Sequence, residues 1–327
     1  MISTPRRSIG FARAVMTACA AMLACWLLVV STACSEDRAE APAGKSAKPL
    51  PTRIISLNPS LTAILLAIEK GDVLVGVDDF SAQQISAVSR LPRVGGLFSP
   101  SLEAVVALEP DLVILVPSAE QRDFRVRLDE LGIAVESFQN FQFEQVLENI
   151  TRLGTLTGAT GAAAERVATI ERTRAAVERA IASLERDGGS PPSVAMVLQR
   201  DPLFVVGGAN FIDTMLRIAG TRNIAADYRE AYPRVAMEWL VAASPQLLVD
   251  LSPEASGASE AMAFWQRWPN IAAVKNDRLL SLDAALISMP GPDLDRSLLL
   301  LARTFWGAEL EARIRRESAA PQREHEL

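Results

Sequence analysis

Few side chains in this chain are equipped for covalent or metal chemistry, and their positions bound what it can do. Its 327 residues include one histidine, His325, near the end, and three cysteines, Cys19, Cys25 and Cys34, near the start. The long stretch between them holds neither a thiol nor an imidazole. Nucleophile–base pairs of the Ser–His or Cys–His kind cannot form there. A zinc or manganese site built from several imidazoles is excluded as well. There is no Gly-x-x-x-x-Gly-Lys loop, and no Gly-x-Gly-x-x-Gly follows the first strand. Acids are plentiful, but nothing in the sequence pairs them. The expectation is a binding protein with no catalytic residues, no metal and no cofactor.

Two acids stand out by their setting. Residues 103–114 read Glu-Ala-Val-Val-Ala-Leu-Glu-Pro-Asp-Leu-Val-Ile, and residues 238–249 read Glu-Trp-Leu-Val-Ala-Ala-Ser-Pro-Gln-Leu-Leu-Val. In each, an acid opens a short helical segment, a proline follows seven positions later, and an apolar strand follows the proline. A unit repeated about 135 residues apart predicts two lobes of similar build. It places one carboxylate, Glu103 or Glu238, at the same point on each lobe, as a docking face requires. Either acid also favours the positive end of its helix, worth about 0.3–1 kcal/mol. The recurrence in both lobes is what argues for docking.

The aromatic residues are few and concentrated in candidate loops. Phe80, Phe98, Phe204, Tyr228 and Tyr232 are placed to stack on a flat, partly apolar ligand. Asn58, Pro59 and Ser60 after the first strand, Leu97 beside Phe98, the Gly207-Gly208 turn and Met289 before the last helix complete the expected ligand-binding set. Trp239, Trp265, Trp268 and Trp306 lie on or beside helices and are expected in the core.

The N-terminus sets the compartment. Arg6, Arg7 and Arg13 precede an apolar run from Ala14 to Val30, and Ser31-Thr32-Ala33-Cys34 follows. Residues 1–33 have the layout of a secretory signal. The cysteine after small residues resembles a lipoprotein signal, in which Cys34 becomes the lipidated first residue, although Ser31 stands where Leu is usual. The mature chain is then expected outside the cytoplasm, periplasmic or at the cell surface, and held to a membrane by lipid. Removing residues 1–33 takes three arginines from 33 basic residues facing 39 acidic ones, which leaves a net charge of −9. Bulk charge therefore speaks against nucleic acid as a partner. A folded part without cysteine must be stabilised by core burial rather than disulfides.

Residues 34–52 read as a disordered tether. Residues 53–160 alternate strands with helices, the grammar of a parallel α/β lobe. Strands are expected at 53–57, 73–77, 112–116 and 133–137. Residues 189–312 repeat that grammar, and 313–327 read as a charged, solvated tail. Between the lobes, residues 161–188 carry one long helix. Val167, Ile170, Val177, Ile181 and Leu184 mark its apolar face. It ends at Gly188-Gly189 and Pro191-Pro192, and at 1.5 Å per residue it spans roughly 37 Å. The fold class is α/β: two Rossmann-like lobes with parallel sheets, joined by one long rigid helix.

The order of motifs resembles the substrate-binding proteins of ABC importers for iron-siderophores, haem and vitamin B12, over about residues 53–310. The resemblance rests on Arg53-Ile-Ile-Ser-Leu-Asn-Pro-Ser60, on Leu91-Pro-Arg-Val-Gly-Gly96 leading to Ser101-Leu-Glu103, and on the Glu103 run. Gly207-Gly208 before Phe211, Ala219-Gly220 before Asn223, and Pro290-Gly-Pro292 add to it. It implies a ligand held between the lobes with little closure, and an acid on each lobe pairing with permease arginines. The implied protein is a monomer that delivers a small molecule to a permease. Relative to the vitamin B12-binding members, Phe204 and Tyr232-Pro233 match stacking residues. A tryptophan near Leu97 is absent, and Ala284–Gly291 lacks the charged residues those members carry. The ligand stays open, with a corrinoid ranked first, a ferric chelate second and haem third. A tethered sensor that docks on a receptor rather than a permease is the alternative.

Overall fold

The computed structural model describes residues 49–118, 121–253 and 258–319. The signal segment, Cys34 and all of the tether up to residue 48 lie outside the described residues.

The first half runs β1 (Ile54–Ser56), α1 (Pro59–Ala67), β2 (Leu74–Val77), α2 (Asp79–Gln84), α3 (Leu102–Ala107), β3 (Leu112–Leu115), α4 (Arg122–Glu130), β4 (Ala134–Ser137) and α5 (Phe143–Thr157). The long α6 (Thr160–Arg186) leads to the second half. There β5 (Ser193–Arg200), β6 (Leu203–Val205), α7 (Phe211–Ile218), β7 (Arg222–Asn223), α8 (Met237–Ala243) and β8 (Leu247–Asp250) follow. The chain closes with α9 (Ala258–Trp265), α10 (Ala272–Lys275), β9 (Leu279–Ser281), α11 (Ala284–Ser288) and α12 (Leu294–Ala319).

The two sheets have matching orders, β2-β1-β3-β4 and β6-β5-β8-β9, with β7 also paired to β5. All pairings are parallel except β5–β6, a hairpin that turns back through Asp201-Pro202. Strand β3 therefore holds the same place in its sheet as β8 does in the other. The duplicated unit matches at backbone level too. Glu109 and Ser244, each just before the proline, adopt left-handed φ angles of 46° and 41°. Right-handed helical backbone is disfavoured before proline. Each short helix stops there, and the chain turns into a strand that begins at Leu112 or Leu247.

Strand side chains alternate between two cores, as a period of two requires. Ile54, Leu112 and Ile114 of the first sheet, with Val194, Met196, Leu247 and Val249 of the second, enter one shared cluster with α1, α5, α6, α7 and α12. The alternate residues Ile55, Val113 and Leu115 face a separate cluster with Val105 of α3 and Leu128 of α4. Ala195, Val197 and Leu248 do the same with Leu240 of α8 and Trp265 of α9.

Helix α6 buries Ile170, Val177 and Ile181, while Val167 and Leu184 pack at the margin of the shared core. It lies against α5 and α12 rather than standing free. One boundary moves. The tail expected from residue 313 is helical as far as Ala319, and Ile314 is buried in the shared core. Arg313 pairs with Asp187 at 2.7 Å and with Glu309 at 2.9 Å, so the charges that read as solvated tie α12 to the end of α6. Gly307, at φ 70°, breaks α12 midway. Among the described residues no helix is long and apolar enough to cross a membrane.

Candidate functional site

A cavity of about 390 Å³ opens where the two halves face each other. Its walls are Asn58, Pro59, Ser60, Gln84 and Asn140 from the first half and Ala284, Ala285, Ser288, Met289 and Pro290 from the second. These positions follow β1, β4 and β9 or end α2. The cavity thus lies beyond the carboxyl ends of parallel strands, where open α/β sheets bind ligands.

Local sequence explains each wall. Asn58 caps α1 by accepting from the Ser60 N–H at 2.9 Å, and Pro59 supplies a preset φ at the first helical position. Asp283 caps α11 through the Ala285 N–H at 3.0 Å. The Ser60 hydroxyl donates to the Pro290 carbonyl, which joins the halves at the cavity edge. Further links are the Phe211 N–H to the Phe141 carbonyl at 2.7 Å and the Gln142 amide to the Ala209 carbonyl. The Arg166 guanidinium of α6 holds the Pro292 carbonyl at 2.8 Å and pairs with Asp295.

A buried polar chain underlies the first wall. Asp78 is fully buried and accepts from the Phe80 N–H at 2.9 Å, the Ser81 N–H at 3.0 Å and the Ser81 hydroxyl. The Ser81 oxygen lies 3.0 Å from that of Thr62, which donates to Ser56 at 2.8 Å. Burial pushes the Asp78 carboxyl above its usual 3.8, partly offset by the bonds from Ser81 and Phe80. The folded state then holds this proton more tightly than the unfolded state does. The residue's contribution to stability is greatest below about pH 3.8 and declines as pH rises through the elevated folded value. Asp78→Asn should flatten that part of the stability curve, as read from urea midpoints between pH 3.5 and 7.

Four of the eleven expected ligand residues line the cavity: Asn58, Pro59, Ser60 and Met289. Phe80, Phe98 and Tyr232 lie outside it but present exposed rings, at 43%, 64% and 42%. Leu97 is half-buried, and its carbonyl accepts from Gln121 Nε2. Tyr228 packs edge-on to Trp239 with ring centroids 5.6 Å apart. Phe204 is half-buried and its backbone bridges Arg234.

Gly207 is buried under the loop that carries Tyr232, not exposed to the cavity. Its N–H donates to the Ala231 carbonyl at 2.9 Å, and Gly208 donates to Tyr228 at 3.2 Å. A Cβ at 207 would lie 2.2 Å from the Glu230 carbonyl, and one at 208 would lie 2.0 Å from that of Ala226. Asn210 and Asn223 side chains pin the same turn through the Gly207 carbonyl at 3.1 Å each. Gly208→Ala should therefore displace the 226–233 loop and cost about 1–3 kcal/mol, measurable by chemical denaturation.

Sequence reasoning missed Gln84 and Asn140. Gln84 ends a six-residue helix too short to show a period, and Asn140 sits in the short Gln-Asn-Phe-Gln stretch after β4 with no periodic pattern. Of the four tryptophans expected in the core, Trp265 is fully buried, while Trp239, Trp268 and Trp306 are partly buried and pack against the core margins, Trp306 donating to the Ala219 carbonyl at 2.8 Å. Arg90, Arg93, Arg229 and Arg234 are all exposed, and none lines the cavity. Glu103 and Glu238 are exposed in the first turns of α3 and α8, and neither forms an ion pair among the described residues. Ser101 caps α3 through the Ala104 N–H at 3.2 Å, so Glu103 is not needed for that task. Among the described residues no cluster of three or more His, Cys, Asp or Glu is grouped to hold a metal.

A model of the periplasmic binding protein family matches residues 54–286. The chain is 28% identical over 248 residues to the vitamin B12-binding protein of Vibrio cholerae, covering 75% of this chain and 86% of that one. It is 27% identical over 260 residues to an uncharacterized ABC transporter substrate-binding lipoprotein of Bacillus subtilis, covering 78% and 80%. The crystal structure of a periplasmic heme binding protein from Pseudomonas aeruginosa superposes with a TM-score of 0.67 at 28% identity, covering 79% and 94%.

Proposed function

This chain belongs to the periplasmic binding protein family, and on that premise we propose that it captures a corrinoid between its halves and delivers it to an ABC permease. The observation that carries the choice of ligand is the cavity wall, which contains no charged side chain. Haem bears carboxylates and many ferric chelates are anionic, and either would be desolvated there without a counter-charge. A corrinoid is fringed largely by neutral amides. Phe80, Phe98 and Tyr232 are exposed and free to offer apolar faces to a ligand.

Delivery rests on Glu103 and Glu238. Both sit on helices that pack on the sheet faces turned away from the shared core, at equivalent points of the duplicated unit. Lipid on Cys34 would keep the protein at the membrane beside its permease, and the Bacillus subtilis relative is named a lipoprotein. The role is binding rather than catalysis.

Titrating the full-length protein with cyanocobalamin, haemin and a ferric chelate tests the ligand. Saturable quenching by cyanocobalamin at nanomolar concentration, about −12 kcal/mol, is the expected result. Exclusive capture of haemin would refute the corrinoid assignment. Silence with all three would favour a sensor.

A further inference from the structure

The cavity wall carries three carboxamides whose hydrogen-bonding capacity the fold leaves unused. Asn140 is nine-tenths buried yet its side chain makes no hydrogen bond among the described residues. Gln84, an exposed residue on the same cavity wall, also makes none among the described residues. Asn58 uses its Oδ1 in capping α1, and its Nδ2 stays without a partner among the described residues. Their unbonded polar atoms stay open to the cavity, where a ligand group can take up the free donors and acceptors. Asn140 is not an incidental surface amide. The adjacent Phe141 carbonyl accepts from the Phe211 N–H, and the side chain of Gln142 donates to the Ala209 carbonyl, so the segment on its C-terminal side is tied to the opposite half.

We infer that Asn58, Gln84 and Asn140 set ligand specificity by pairing with carboxamide groups on the ligand and rejecting carboxylates. A carboxamide offers two donors and an acceptor, so amide meets amide with both needs satisfied. A carboxylate only accepts. It would leave the carbonyl oxygen of Asn140 without a donor and would itself enter a wall that holds no cation. Pro59, Ala284, Ala285, Met289 and Pro290 give the apolar contact between these polar points. The inference rests on the corrinoid reading for its first ligand. Its content is narrower, namely that amide-bearing neutral ligands are chosen over carboxylate-bearing ones.

The test uses the full-length protein, its Asn140→Leu and Gln84→Leu variants and the pair combined. Asn140→Asp, which keeps the shape and removes the donors, serves as a second probe should the leucine variants fold poorly. Each is titrated at pH 7 with cyanocobalamin, haemin and a neutral ferric trihydroxamate, and melting temperatures are recorded alongside. Expected are cyanocobalamin binding to the parent and weakening of at least tenfold in each single variant, Asn140→Asp included, at unchanged melting temperature. Haemin should bind the parent at least a hundredfold more weakly. Equal cyanocobalamin affinity in parent and variants would overturn the specificity role while leaving the corrinoid reading intact. Capture of the trihydroxamate alone, weakened by the same variants, would overturn the corrinoid reading and support the amide pairing. Preferential capture of haemin, or binding of none of the three, would overturn both.

Discussion

Replacing Asp250 with alanine should destabilise the protein by about 3–5 kcal/mol, the range for removing one partner of a buried ion pair. Asp250 ends β8 and is buried, and it accepts from four groups. The Arg200 Nε lies at 2.9 Å, the Trp265 indole N–H at 2.6 Å, the Ser252 N–H at 3.0 Å and the Ser252 hydroxyl at 2.6 Å. The Arg200 guanidinium, whose side chain is 8% exposed, also sits 4.7 Å from the centre of the Phe264 ring. Without Asp250 that cation would be sealed among aromatic groups with no counter-ion. Asp250→Asn keeps the shape and the acceptor, and should lose less. Urea unfolding followed by tryptophan fluorescence measures both variants. A loss below 1 kcal/mol for Asp250→Ala would show that the pair contributes little beyond its own desolvation.

The double variant Glu103→Ala, Glu238→Ala should bind its ligand as the parent does yet fail to stimulate the transporter. Neither acid lines the cavity, and neither forms an ion pair among the described residues. Close charge pairs across protein interfaces couple by about 1.5 kcal/mol or more each. Losing two should weaken docking by on the order of a hundredfold, at about 1.4 kcal/mol per factor of ten. Ligand-stimulated ATPase activity in proteoliposomes containing the permease reads this out. Full stimulation by the double variant would remove both acids from the docking face. Each single variant should be intermediate, since the acids lie on separate halves.

The architecture was readable because its signals are periodic or repeated. The Glu-to-Pro unit announced matching halves, and the structure adds that Glu109 and Ser244 share a left-handed backbone that neither residue type demands. The apolar spacing from Val167 to Leu184 located α6, although Arg313 and Ile314 show that charge alone misjudged the end of the fold. The cavity was legible only where a turn signal marked it, as at Asn58-Pro59-Ser60 and in the loop before Pro290. Asn140 and Gln84 carry no pattern of their own. Their importance comes from convergence across elements distant in sequence, which periodicity does not encode. Gly207 shows the opposite error, since a glycine in a loop suggests an approach by ligand, but here another stretch of backbone takes that place.

The mingling of side chains from both sheets in a single apolar cluster bears on how the molecule comes apart. Val194 and Leu247 share an interior with Ile54 and Leu112, so cleavage at the Gly188-Gly189 turn would strip each fragment of half its lining. Calorimetry of the intact chain should record one heat-absorption peak instead of two. A biosensor engineered from this scaffold would do best with a dye placed at the mouth, where a guest quenches it, rather than with paired fluorophores that await a hinge.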